Sequence, residues 1–220
     1  MKRIGLFGGT FDPIHMGHLQ AAKSVKNGYG LDNIFFIPSA IPPHKKRSHV
    51  TDAKDRLEML RLALVDISDF LISDTELERK GPSYTIDTVR HFISVYPKKT
   101  TFYLIIGHDA FLEIDTWKSY IFLFSEIPLI VLIRPEKGQT DLGQRVIDTY
   151  LKSRISTAYQ YNAEKSCYLH PTKQPLYIFS SDLIQISSTD IRERIRTQGA
   201  IEGVVPKSVI QFISDRGLYQ

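Results

Sequence analysis

The chain begins with a short β-rich apolar run, residues 3–7, that passes into Gly8-Gly9 and then into a helix-like segment over 15–28. That order constrains the fold more than any bulk property. A buried strand that ends in paired glycines and feeds a helix starts a strand–helix unit, and the pattern recurs. Residues 33–37 read as a strand stopped by Pro38, and 51–64 as a helix with Leu57, Leu60 and Leu64 on one side. Residues 70–77 read as extended, and 84–96 as a helix stopped by Pro97. Strands are predicted over 101–106, 128–133 and 176–179, and helices over 188–197 and 207–214. Near-continuous apolar strands alternating with helices imply a doubly wound parallel sheet with helices on both faces, an α/β fold. At 220 residues the chain is read as one domain, 1–220. Within it, 136–175 is polar and tyrosine-containing. It is expected to be an irregular insertion with a helix near 142–151.

Composition excludes several classes. Apolar residues make up 42% and charged residues 24%, an ordinary balance that argues against disorder or coiled coil. The single cysteine, Cys167, permits no intrachain disulfide, so a cytoplasmic location is expected. The basic start Met1-Lys2-Arg3 precedes an apolar stretch that stops at Phe7, too short for a secretory leader. The longest apolar region, 120–133, contains Ser125, Glu126 and Pro128 and is too short to span a bilayer. No membrane association is expected. Net charge is +4, and the longest basic cluster is His44-Lys45-Lys46-Arg47. With no basic tail or basic helix with interleaved aromatics, no nucleic-acid partner is expected. A mildly basic chain also suits phosphorylated small molecules.

The most specific segment is Gly8-Gly9-Thr10-Phe11-Asp12-Pro13-Ile14-His15-Met16-Gly17-His18-Leu19. It lies just beyond the first predicted strand, where doubly wound sheets bind ligands. Glycines allow close backbone approach, and the helix that follows presents free N–H groups to phosphate. His15 and His18 are three apart and share one face of its first turn, which Gly17 is expected to leave open. Two imidazoles there can donate to oxygens whose charge grows in a transition state. A glycine turn with two surface histidines is the bland alternative. It fits a lone Gly-Gly better than a string of this length. The segment lacks both the G-x-G-x-x-G of dinucleotide-binding dehydrogenases and the Walker A pattern.

The second segment is Ile186-Ser187-Ser188-Thr189-Asp190-Ile191-Arg192. Ser187 and Asp190 have capping-box spacing, and a helix cap alone would account for the serines. The free N–H groups, the hydroxyls and Arg192 could equally hold a polyphosphate. Three further stretches stand beyond predicted strands or at helix starts. They are Pro42-Pro43-His44-Lys45, Ser83-Tyr84-Thr85-Ile86-Asp87-Thr88, and Gly107-His108-Asp109-Ala110-Phe111 with Trp117 after it. Read singly, these are a proline turn, a helix cap and a strand end with a core tryptophan.

The first segment resembles the H-x-G-H signature of the nucleotidyltransferase superfamily, which has a Rossmann-like fold, and the second resembles its I-S-S-T-x-[IV]-R element. All five segments together, in this order, resemble bacterial nicotinate-nucleotide adenylyltransferases, from Ile4 to Arg216-Gly217-Leu218-Tyr219 near the C-terminus. The resemblance implies adenylyl transfer from ATP to nicotinate mononucleotide, with magnesium accompanying the ATP and no protein metal ligands assigned. It implies that Gly8, Gly9, Thr10 and Phe11 line the adenylate site and that His15 and His18 contact the ATP phosphates, with His18 stabilising the charge of transfer. Ser188, Thr189 and Arg192 would hold triphosphate, and Arg134 would face ATP. Lys45 would meet a substrate phosphate, Tyr84 and Thr85 the carboxylate of the pyridine ring, Trp117 the ring face, and Asp109 a ribose hydroxyl. Asp12 is left between capping the turn and touching the metal through water. Homo-oligomerisation is left open. A pantetheine-phosphate adenylyltransferase would share the histidine and serine segments but not the Pro-Pro-His-Lys and Ser-Tyr-Thr elements. A nucleotide sensor or RNA-binding module on this fold would not need intact His15 and His18.

Overall fold

The alternation of apolar runs and helical segments folds as an α/β protein. The computed structural model describes residues 1–40, 50–133, 140–180 and 186–220. In it, β1 (Lys2–Gly9) leads to α1 (Met16–Tyr29), β2 (Asn33–Pro38), α2 (Ala53–Leu64), β3 (Phe70–Ile72) and α3 (Thr75–Glu78). Then come α4 (Thr85–Val95), β4 (Thr100–Gly107), α5 (His108–Phe111), a 3-10 turn (Ile114–Thr116), α6 (Tyr120–Glu126) and β5 (Leu129–Ile133). The chain continues through α7 (Thr140–Tyr150), β6 (Gln160–Asn162), β7 (Cys167–Leu169), β8 (Leu176–Ser180), α8 (Ser188–Arg196) and α9 (Lys207–Asp215). These strands form a mostly parallel sheet flanked by helices, as the sequence predicts. Among the described residues no helix is long and apolar enough to cross a membrane.

The chain divides into two compact units. The first comprises residues 1–7, 30–32 and 84–182. Its strands run β1-β4-β5-β8-β7-β6. The first four are parallel, with Leu6 opposite Leu104, Leu104 opposite Leu129, and Leu129 opposite Leu176. Phe102–Ile106 and Leu129–Ile133 are buried at every position, which is why they read as unbroken apolar runs rather than as an alternation. The expected irregular insertion is in fact ordered structure. The helix predicted near 142–151 forms as α7 and widens into a π-type turn at Leu151–Ile155. β6 and β7 then pair antiparallel, and β7 pairs antiparallel with β8. The sheet is therefore not wholly parallel. Three-residue strands carry too little periodicity to be read from sequence, and the buried rings of Tyr159 and Tyr168 supply the apolar packing that the tract's polarity hid.

The second unit comprises residues 8–29, 33–83 and 183–220. Here β2 lies parallel to β3, with α1, α2, α3, α8 and α9 around Ile14, Val25, Ile34, Phe36, Met59, Ile191 and Val209. The extended run expected over 70–77 stops at Ile72. Ser73, Asp74 and Thr75 then turn the chain, with Leu77 N–H donating to the Asp74 carbonyl at 2.7 Å. In α2 the buried face is Arg56, Met59, Leu60 and Leu64, while Leu57 is only half-buried. The expected leucine stripe is thus rotated toward an arginine. Asp52 caps α2, accepting from Lys54 N–H at 2.9 Å.

Candidate active site

The Gly8–Leu19 segment folds tightly on itself. The Gly9 carbonyl accepts from Ser39 N–H at 2.9 Å. Phe11 has φ +50°, a left-handed conformation that is costly for a bulky residue, and its ring lies over Gly9. A Cβ on Gly9 would stand 2.9 Å from that ring, so any larger residue there would have to displace the Phe11 ring. The ring of Phe11 is buried, edge-on to His18 at 5.1 Å and tilted on Phe36 at 5.6 Å. Gly8, by contrast, has open space where a Cβ would be.

His15 immediately precedes α1, its carbonyl accepting from His18 N–H at 3.0 Å and from Leu19 N–H at 3.3 Å. The two imidazoles stack, centroids 3.6 Å apart and planes 27° apart, with His15 buried and His18 partly exposed. They share one face, as their spacing predicts. The expected role of Gly17 needs correction, because its surface is not open. A Cβ there would lie 3.0 Å from His15 Nδ1 and 3.2 Å from Ile186 Cγ2. Gly17 is the floor on which the His15 ring rests.

The second segment comes together with the first inside the same unit. Ser187 and Asp190 form the predicted capping box, Asp190 N–H donating to Ser187 Oγ and Ser187 N–H to Asp190 Oδ2, each at 3.1 Å. Ser188 Oγ donates to the Pro13 carbonyl at 3.0 Å, and Arg192 Nη1 to the Asp12 carbonyl at 2.7 Å. Arg192 Nη2 donates to Thr189 Oγ1 at 3.2 Å. These contacts link residues 175 and 180 positions apart in the chain.

Two residues that the sequence reading passed over hold the same loop. Arg56 is 1% exposed and donates to three carbonyls, with Nη1 to Thr10 at 2.8 Å, Nη2 to Ala40 at 3.3 Å and Nε to Thr51 at 3.0 Å. Burial lowers its pKa from the ordinary arginine value, while Asp12, Tyr219 and Asp52 oppose that shift. Tyr219 O–H donates to Asp12 Oδ1 at 2.7 Å, and Thr51 N–H to Asp12 Oδ2 at 3.3 Å. Burial and the Asp12 charge push the Tyr219 hydroxyl well above its ordinary pKa, so it stays a donor. Asp12 thus ties distant segments together rather than capping its own turn, with both carboxylate oxygens engaged. A signal for Arg56 existed in the sequence, since 56, 60 and 64 recur at helical spacing on one face. Tyr219 had none.

Tyr84, Thr85, Asp109 and Trp117 belong to the first unit. Tyr84 is the N-cap of α4, and the first amide to bond back within the helix is that of Asp87, which donates to the Tyr84 carbonyl at 3.0 Å. The amides of Thr85 and Ile86 precede it. Lys118, another residue the sequence reading missed, places Nζ 4.4 Å from the Tyr84 ring centroid and 3.2 Å from Asp87 Oδ2. Trp117 is half-buried rather than a core residue. Asp109 follows β4 with its carboxylate fully exposed, 3.5 Å from His108 Nδ1. Lys45 and Arg134 lie outside the described residues. Among those described, no three His, Cys, Asp or Glu side chains group as metal ligands.

The chain resembles known proteins in sequence and in fold. The cytidylyltransferase-like family model matches residues 6–194. The chain is 38% identical over 220 residues to a probable nicotinate-nucleotide adenylyltransferase of Desulfatibacillum aliphaticivorans, covering 99% of each chain. It is 37% identical to one of Desulfitobacterium hafniense, covering 100% of this chain and 96% of that one. Among solved structures, nicotinic acid mononucleotide adenylyltransferase of Plasmodium falciparum, complexed with NaAD, superposes with a TM-score of 0.74 at 19% identity. That superposition covers 100% of this chain and 98% of the other.

Proposed function

Because the chain belongs to the cytidylyltransferase-like family, and within it to the nicotinate-nucleotide adenylyltransferases, we propose that it joins ATP and nicotinate mononucleotide into nicotinate adenine dinucleotide and pyrophosphate. A phosphate oxygen of the mononucleotide forms a bond to the α-phosphorus of ATP, and the bond from that phosphorus to the bridging oxygen of pyrophosphate breaks. The attacking oxygen is already anionic at neutral pH, so no covalent enzyme intermediate and no strong base is required. The protein's contribution is alignment and stabilisation of charge. Magnesium enters on the triphosphate as part of the substrate, which suits a cation that prefers phosphate oxygens and water.

The observation that carries this reading is the joining of the two polyphosphate-type segments through Ser188 to Pro13 and Arg192 to Asp12, beside the stacked His15 and His18. On this reading His15 and His18 donate to phosphate oxygens, His18 most strongly in the transition state. Gly8 allows close backbone approach, Gly9, Thr10 and Phe11 shape the adenylate side, and Ser188, Thr189 and Arg192 meet the triphosphate. Lys45 and Arg134 add positive charge to the phosphates. Tyr84 and Thr85 receive the ring carboxylate, Trp117 stacks on the ring, and Asp109, exposed after β4, accepts from a ribose hydroxyl. The whole chain acts as one catalytic domain, and its compartment is the cytoplasm. The test is pyrophosphate release from MgATP with three acceptors: nicotinate mononucleotide, nicotinamide mononucleotide and pantetheine phosphate. Turnover is expected with the first, far less with the second, and none with the third. Preferred use of pantetheine phosphate would overturn the assignment.

A further inference from the structure

Besides Ser188 and Arg192, which bond the Pro13 and Asp12 carbonyls, three residues to which the proposed function gives no role hold the segment from Thr10 to Pro13. Arg56 distributes its guanidinium over the carbonyls of Thr10, Ala40 and Thr51, one nitrogen to each. Asp12 takes a hydroxyl on one carboxylate oxygen and an amide on the other. That hydroxyl belongs to Tyr219, which reaches back across 207 positions. Tyr219 adopts φ +66°, a left-handed conformation that is unfavourable for a tyrosine, and its ring position depends on it. Arg56 and Asp12 are 1% and 3% exposed, so the guanidinium charge is balanced by a carboxylate inside the unit rather than by solvent.

We propose that Arg56, Asp12 and Tyr219 are positioning residues for the nucleotide. They fix the Thr10–Pro13 backbone so that His15 and His18 already stand in their working geometry before ATP arrives. The proposal rests on the adenylyl-transfer reading for its kinetic test but not for its binding test. A planar fork satisfies three carbonyls from three chain segments, whereas a lysine ammonium in its place cannot span them. The Tyr219 hydroxyl fixes the orientation of the Asp12 carboxylate, and the Asp12 carbonyl is in turn the acceptor for Arg192. Loosening Tyr219 therefore disturbs both segments that the reading assigns to ATP. The pyridine-ring residues Tyr84 and Trp117 take no part in this network.

The experiment measures KM and kcat for both substrates, the equilibrium Kd of MgATP alone, and melting, in the wild type, Tyr219→Phe and Arg56→Lys. Tyr219→Phe keeps the ring and removes one hydrogen bond to a charged group, so KM and Kd for MgATP should rise about tenfold. KM for nicotinate mononucleotide should stay within about twofold, since none of its expected contacts is touched. Arg56→Lys should raise the same two quantities further. A residue that merely supports folding would lower the melting temperature and the active fraction while leaving both KM values and the Kd of the folded fraction unchanged. That outcome for Tyr219→Phe would overturn the proposal, whatever happens to Arg56→Lys. A wild type that binds MgATP but does not turn over nicotinate mononucleotide would overturn the substrate reading instead. The Kd comparison would then still decide the proposal.

Discussion

The imidazole of His15 lies flat between its neighbours, stacked on the ring of His18 at 3.6 Å and resting 3.0 Å from where a side chain on Gly17 would begin. The rings are thereby held as a pair, with His15 buried and His18 partly exposed.

His18→Ala should lower kcat by about 10² or more, since one donor to a developing oxyanion is worth roughly 3 kcal/mol. His18 is only partly buried, so thermal unfolding should move by a few degrees at most. Steady-state kinetics beside a melting curve check this. A variant that retains full kcat would remove His18 from the chemistry.

Gly17→Ala should be far more damaging to turnover than to folding. Alanine is ordinarily the better helix residue by up to about 1 kcal/mol. Here its methyl would press on the His15 ring and Ile186. The expected outcome is a loss of kcat of about tenfold or more with nearly unchanged melting, because a small misplacement costs orientation more than stability. Gly8→Ala is the control. It meets no protein atom, so unchanged melting with a raised KM for MgATP would report a ligand lying against that backbone. Equal behaviour of the two variants would contradict this account.

Lys118→Ala should weaken the preference for nicotinate over nicotinamide mononucleotide. The amides at the start of α4 favour a carboxylate, and hydrogen bonds to charged groups contribute about 1.5–3 kcal/mol, a preference of roughly ten- to hundredfold. Asp87 opposes that preference, and Lys118 at 3.2 Å offsets Asp87. Without the ammonium, the ratio of kcat/KM for acid over amide should fall several-fold at low salt and less at high salt. A ratio near one in the unaltered protein would refute the helix-terminus argument altogether.

Tyr150 predicts an alkaline weak point in the first unit. Burial, with a hydrogen bond to Asp115, pushes its hydroxyl up to about 12. Because the folded value lies above the ordinary one, the contribution is whole below about pH 10 and is lost as pH rises toward 12. Melting temperature should therefore drop over that interval. Tyr150→Phe should start lower at pH 8 and drop less steeply. An identical slope in both proteins would show that other groups govern alkaline unfolding.

The sequence by itself determined the strand–helix alternation, the helix cap at Ser187, and the two segments that carry His15, His18, Ser188 and Arg192. Each of these depends on residues adjacent in the chain or one helical turn apart, where period, capping and glycine placement act directly. It did not disclose that residues 160–169 form an antiparallel pair, because strands of three residues carry almost no pattern. Nor did it show that Leu57 yields the buried face of α2 to Arg56, since a lone arginine on a helix reads as a solvated charge until its acceptors are known. What only the tertiary structure decided is which atoms from distant segments meet at Asp12. Thr51, Arg192 and Tyr219 reach it from 39, 180 and 207 positions away. Hydrogen-bond partners at such separations are chosen by how the chain crosses itself, and the buried carboxylate and carbonyl of Asp12 take whichever donors that crossing delivers.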